Sequence, residues 1–179
     1  TSTPLQVNLN ASTCQCLSYC NSAFTSATYE FITNVNYAGI NNTSTGTVGG
    51  PVNYTGFSGS VTLGVASTLA VTIDPDASDY VYAWIDWNQD GDFADAGEQY
   101  TLATSTSSAG PHSLSITPPL TATTGNTRMR VMVDYNNATP NPCRSATYGE
   151  AEDYCLSVNA PVSCSGTPTP GTASASVNP

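Results

Sequence analysis

The chain has 179 residues, enough for one β domain with a substantial core plus tails and too few for two domains of ordinary size. Only 9% of the residues are charged and the net charge is −10, and three arginines with no lysine cannot neutralise a nucleic-acid backbone, so no nucleic-acid partner is expected. No stretch approaches the roughly 20 apolar residues that span a bilayer and no charged-then-apolar leader opens the chain, so the expectation is a mature, soluble product without membrane insertion.

Residues 1–13, TSTPLQVNLNAST, set Leu5, Val7 and Leu9 against Gln6, Asn8 and Asn10. This is the period of a strand with one apolar face, and no close hairpin partner follows it. Cys14, Cys16 and Cys20 come next, Cys143, Cys155 and Cys164 lie near the other end, and the interior has no cysteine. An even count clustered at the ends of a Thr- and Asn-rich chain predicts an extracellular, oxidising setting and disulfides tying the ends to the body. The pairing is left open by the spacing, and the cysteines lack the paired C-x-x-C of zinc ribbons.

From Tyr29 onward, short β-prone runs alternate with Gly, Asn, Asp and Pro: 29–37, 51–57, 67–75, 79–87, 98–104, 112–120, 127–135 and 152–159. No 3.6-residue periodicity is sustained. The pattern predicts an all-β protein, a disulfide-stabilised antiparallel β-sandwich of Ig-like or jelly-roll-like kind with an extended N-terminal strand. Tyr80 to Trp87 is apolar on both faces, as a central strand would be. After Asn159 the chain is rich in Pro, Ser and Thr, a tail by composition with Cys164 as its expected anchor. The organisation is thus an extension over 1–19, a sandwich over 20–159 and a tail over 160–179.

Eight of the thirteen acids fall between Asp74 and Glu98, and five of them lie in DWNQDGDFADAGE, residues 86–98. Carboxylates placed for solubility alone would spread out to lower their repulsion. In D-x-N-x-D-G-D, alternate residues of a tight loop aim oxygens inward and Gly91 permits the sharp turn that lets them face one centre. Hard oxygen donors at this spacing suit Ca²⁺. Asp86, Asn88 and Asp90 would supply side-chain oxygens, Asp92 a side-chain or carbonyl oxygen, and Glu98 would close the site. The loop is not an EF-hand, because its acid comes one position late and a strand-like run precedes it. A solvated Asp-Gly turn would account for Asp90-Gly91 but not for the other acids.

The motifs W-I-D-W-N-Q-D-G-D-F at 84–93, G-E at 97–98, T-R-M-R-V at 127–131 and G-E-A-E-D-Y at 149–154 occur in that order. Together they resemble the GEVED domain, over about residues 20–159. One departure is Asn53-Tyr54-Thr55, where the family usually places an acid before the threonine. The resemblance implies a β-sandwich module of secreted and surface proteins, extracellular, often repeated or appended, and non-catalytic.

GEAEDY gathers Glu150, Glu152 and Asp153, which need compensating charge from Ca²⁺ or from Arg128 and Arg130, two residues on one face of the preceding strand. The expected arrangement is an arginine pair for Glu152 and a metal for Glu150 or Asp153. DPDASD at 74–79 is either a second, looser ion site or a polar turn. For catalysis, the sole histidine, His112, follows Gly110-Pro111 at a turn, GFSGS at 56–60 misses the G-x-S-x-G elbow, and the loop carboxylates suit an ion better than a glycosidic bond, so no enzyme is expected.

Two functions follow. One is a structural subunit of a calcium-stabilised extracellular fibre or surface filament, a homopolymer in which Leu5, Val7 and Leu9 add a strand to a neighbouring copy; the competing arrangement folds residues 1–13 back on their own sandwich. The other is a calcium-dependent adhesion or glycan-binding module, with Tyr and Trp stacking on surface glycans. Asn-x-Ser/Thr triplets at Asn10, Asn41, Asn42, Asn53 and Asn137 permit glycosylation where the machinery exists.

Overall fold

The computed structural model describes residues 17–162, which form ten strands and no helix. These are β1 (Ala23–Ser26), β2 (Phe31–Tyr37), β3 (Ile40–Thr43), β4 (Val52–Thr62), β5 (Ser67–Asp74), β6 (Asp79–Ile85), β7 (Gln99–Thr106), β8 (His112–Ile116), β9 (Gly125–Tyr135) and β10 (Ser145–Asn159). One sheet has the order β1-β10-β9-β6-β7, with β4 also paired to β10; the other has the order β3-β2-β5-β8. The two pack face to face as the expected sandwich. Leu5, Val7, Leu9, Cys14, Cys16 and Cys164 lie outside the described residues.

The pairing is antiparallel except at β10, which runs parallel to β1 over its first residues and parallel to β4 over the rest. Both partners come from the far end of the chain, so no hairpin dictates their direction. Two strands escape a purely sequence-based division. The first, β3, follows β2 through a two-residue turn in which Ala38 and Gly39 both have positive φ, 51° and 100°, the left-handed pair that matches strand twist. The second, β1, is four residues long and stands on the edge beside Ser145–Tyr148. The other difference is in β4, which runs on past Phe57 to Thr62, because the register slips between Tyr154 and Cys155 and lets Thr55–Phe57 bulge out before pairing resumes at Ser58.

Strand β6 lies between β9 and β7, and its alternation explains why it is apolar throughout. Val81, Ala83 and Ile85 face the core between the sheets, against Ile32, Leu69 and Val71. Tyr82 and Trp84 face the other way and join a second cluster with Phe24, Phe93, Met132 and Ala151. That outer face is covered by the segment before β1 and by the loop after β6, so both faces of the sheet are dry there. Each such side chain stabilises the fold by about 1.5–3 kcal/mol relative to exposure. Gly149 in β10 shows how tight the cover is: its φ is +133°, and a Cβ there would stand 2.7 Å from the Phe24 ring.

Cys20 and Cys143 form a disulfide across a sequence separation of 123 residues, pinning the segment before β1 to the turn before β10. Cys155 is also disulfide-bonded. Among the described residues, no helix is long and apolar enough to cross a membrane. Replacing Cys20 and Cys143 by serine should cost about 2–5 kcal/mol in urea unfolding, the range for a native bridge closing a long loop.

Candidate metal centre

The acidic loop begins where β6 ends, and its first acid is buried. Asp86 accepts a hydrogen bond from the Gln89 N–H at 2.6 Å on Oδ1, and from the Gly91 N–H at 3.0 Å and the Tyr19 hydroxyl at 2.7 Å on Oδ2. Its carbonyl accepts from the Thr127 hydroxyl. Burial and the Asp86 carboxylate push the Tyr19 phenol far up, which keeps it a donor. Asp86 thus folds the loop around its own side chain. Both of its oxygens are occupied by N–H and O–H donors, in place of the expected metal contact.

The next alternate residues repeat the device on a smaller scale. Asn88 Oδ1 accepts from the Asp90 N–H, Asp90 Oδ1 from the Asp92 N–H, and Asp92 Oδ1 from the Ala94 N–H at 2.8 Å. Each side chain caps the backbone two residues on, as Asx turns do. The Asn88 amide also donates to Asp90 Oδ2 at 3.0 Å and to Asp95 Oδ2 at 2.8 Å, drawing these carboxylates together. Among the described residues, Asp90, Asp92 and Asp95 form a group in which one oxygen from each lies within 4.8 Å of the others, on the exposed side of the loop, where they could hold a metal ion. Asp90 and Asp92, two of the expected ligands, belong to this group together with Asp95; Asn88 donates its amide to Asp90 and Asp95, and Asp86 and Glu98 lie outside the group.

Glu98 closes the loop from beneath. It is buried, accepts from the Trp87 N–H at 2.7 Å on Oε1, and has no hydrogen-bond partner for Oε2 among the described residues. Burial, and then the charges of Asp86 and Asp95, raise its pKa.

The GEAEDY acids serve the sandwich. Asp153, expected at a metal, receives Arg130 in a forked pair, Nε to Oδ1 at 2.7 Å and Nη2 to Oδ2 at 2.9 Å, and Arg128 Nη1 at 3.1 Å. The register explains the exchange: Asp153 lies opposite Arg130 on β9, and Glu152 lies opposite Val131 on the other face. Glu152, expected to take the arginines, is buried in the core and accepts from the Tyr154 hydroxyl at 2.6 Å, which in turn accepts from Asn42 at 2.8 Å. Glu150, the other expected metal ligand, spans to the second sheet and accepts from the Ile32 and Thr47 N–H groups, both at 2.8 Å. Burial, and then the Glu152 charge, push its pKa up to about 7.

Arg130 also joins the loop to the disulfide. Its Nη1 donates to the carbonyls of Cys20 and Pro142, and its guanidinium stands 5.4 Å from the Phe93 ring centroid. Tyr19 stacks on Phe93 at 4.9 Å, with the Arg128 guanidinium over its ring at 4.7 Å. The third arginine, Arg144, pairs with Asp134 at 3.0 Å. All three basic side chains of the chain are therefore committed away from the triad, whose three carboxylates have no protein countercharge.

These features define a disulfide-bonded β-sandwich with an acidic loop fixed over one face. Residues 80–157 match the family model of the GEVED domain. The match runs from β6 to the end region of β10 and includes both the acidic loop and GEAEDY. No curated protein matches the chain.

Two outcomes follow. Arg130→Ala strips a buried carboxylate of its partner and should cost about 3–5 kcal/mol in denaturant unfolding, and Arg130→Lys should recover little, because an ammonium cannot make the forked contact. Glu150 holds its proton more tightly folded than unfolded. Its contribution should therefore make chelator-stripped protein less stable as pH rises from its ordinary 4.5 to about 7, and Glu150→Gln should flatten that slope in a pH series of thermal unfolding.

Proposed function

We propose that this protein is an extracellular structural subunit whose acidic loop binds calcium and which assembles into a fibre or surface filament by adding its N-terminal strand to a neighbouring copy. The observation that carries this reading is the contact of Leu17 and Tyr19 with the acidic loop. Leu17 lies against Gly91 of the acidic loop, and Tyr19 is bonded to Asp86 and stacked on Phe93. Leu17 and Tyr19 therefore lie beside the acidic loop that carries the carboxylate triad. A cation there would stiffen both the loop and the root of the strand.

Calcium is favoured over softer metals because the donors are carboxylate oxygens, crowded and exposed, with room for water to complete a coordination of 6–8. Ten strands from Ala23 onward already enclose a core, which supports a role for Leu5, Val7 and Leu9 outside their own sandwich. Their addition would extend an outer strand of a neighbour, with backbone pairing giving affinity and the apolar side chains the register. The disulfides favour an oxidising compartment and hence an extracellular location.

A second reading is calcium-dependent adhesion or glycan binding. It is favoured by a half-open cavity of about 420 Å³ that adjoins the triad and is lined by Trp84, Asp92, Phe93, Asp95, Pro140 and Pro142. Trp84 is fully buried and Phe93 is 4% exposed, so neither presents a ring face for a sugar, and this reading ranks below the first.

Electron microscopy of native material before and after a strong chelator tests the proposal. Regular fibres that fray on chelation are expected, and a chain lacking residues 1–13 should stay dispersed. Fibres from the shortened chain would overturn the strand-addition role. Dispersed particles under all conditions, with calcium-dependent glycan binding, would favour the second reading.

A further inference from the structure

A second group of acids lies away from the loop, at the seam where the chain passes from one sheet to the other. Glu30 immediately precedes β2, whose first residue pairs with Asp74 at the end of β5. The turn after β5 carries Asp76 and delivers Asp79 as the first residue of β6, in the other sheet. Glu30 and Asp79 are 2% and 0% exposed. Asp79 Oδ2 accepts from the Asp76 N–H at 3.1 Å. Among the described residues, Asp79 Oδ1 and Glu30 Oε2 are both buried without a hydrogen-bond partner.

The arrangement is unfavourable as it stands. Taking a carboxylate out of water costs several kcal/mol unless it is paired, and here two acids and the exposed Asp76 act on one another with like charge. The burial and the repulsion push Glu30 up to about 7 and Asp79 up to about 6. No arginine relieves them, since Arg128 and Arg130 serve Asp153 and Arg144 serves Asp134. Buried oxygens left without donors, one just before β2 of one sheet and one at the start of β6 of the other, are what a missing cation would leave behind.

We propose that Glu30 and Asp79 hold a second divalent cation, calcium by the hardness of the donors, which clamps the two sheets at this seam. The site is independent of the loop triad. Glu30, Asp76 and Asp79 all lie outside the stretch that matches the GEVED domain.

Calorimetric titration of calcium chloride into the chelator-stripped full chain tests it, using the unaltered chain, Glu30→Gln/Asp79→Asn, and Asp90→Asn/Asp92→Asn. The seam variant should bind one calcium fewer than the unaltered chain, and the loop variant should keep the seam ion. The seam variant should also melt higher than the unaltered chain without calcium, since its buried repulsion is gone, and should gain less from calcium than the loop variant does. A seam variant with the full number of ions, or a loop variant with none, would overturn the proposal. Loss of an ion in the seam variant with no loss in the loop variant would support the seam site while removing calcium from the triad.

Discussion

The buried guanidinium of Arg130 holds together the parts of this domain that matter for its site. A single planar cation is forked onto Asp153, caps the carbonyls on either side of the Cys20–Cys143 bridge, and lies beneath Phe93 of the acidic loop. Arginine suits this role because its charge is permanent and its donors have a fixed fork. Desolvating it is costly, and the cost is met only because Nε, Nη1 and Nη2 all point at acceptors already fixed by β10 and the disulfide. The loop above inherits its position from this anchor through Phe93 and Tyr19.

With thirteen acids and three arginines, the chain must satisfy its carboxylates in different ways. Asp153 and Asp134 take the cations. Asp86, Glu98 and Glu150 accept backbone N–H groups and so act as internal turn and strand clamps. Asp90, Asp92 and Asp95 are left crowded at the surface, and Glu30 and Asp79 are left crowded inside.

Much of this could be read from the chain. The β-sandwich, the doubly apolar strand 80–87 and the family resemblance followed from alternation and motif order, and Asp90 and Asp92 lie close together with Asp95 on the loop. Asp86 and Glu98 were harder, because spacing shows which side chains point inward but not whether an N–H or a metal meets them. The exchange of Glu152 for Asp153 turned on strand parity: β10 begins earlier than its apolar run suggests, and the arginines of β9 lie opposite the odd-numbered acid. Glu30 and Asp79 are far apart in sequence, and only the crossing of β5 into β6 brings them to one seam.

The disulfide has a mechanical consequence. The described chain comes in beside Cys20 and leaves after β10, a strand of 15 residues that begins just beyond Cys143. A pull applied at these two ends passes through the sulfur bridge and along β10, bypassing the intervening chain, so β1 to β9 sit in a closed loop that tension cannot draw out. The described chain beyond this loop is mainly β10, roughly 50 Å of strand at about 3.3 Å per residue, and it carries a further disulfide at Cys155. It is flanked by β9 on one side and by β1 and β4 on the other. Stretching would load those ladders in shear, many hydrogen bonds at once, and the domain would behave as a short stiff link of nearly fixed length.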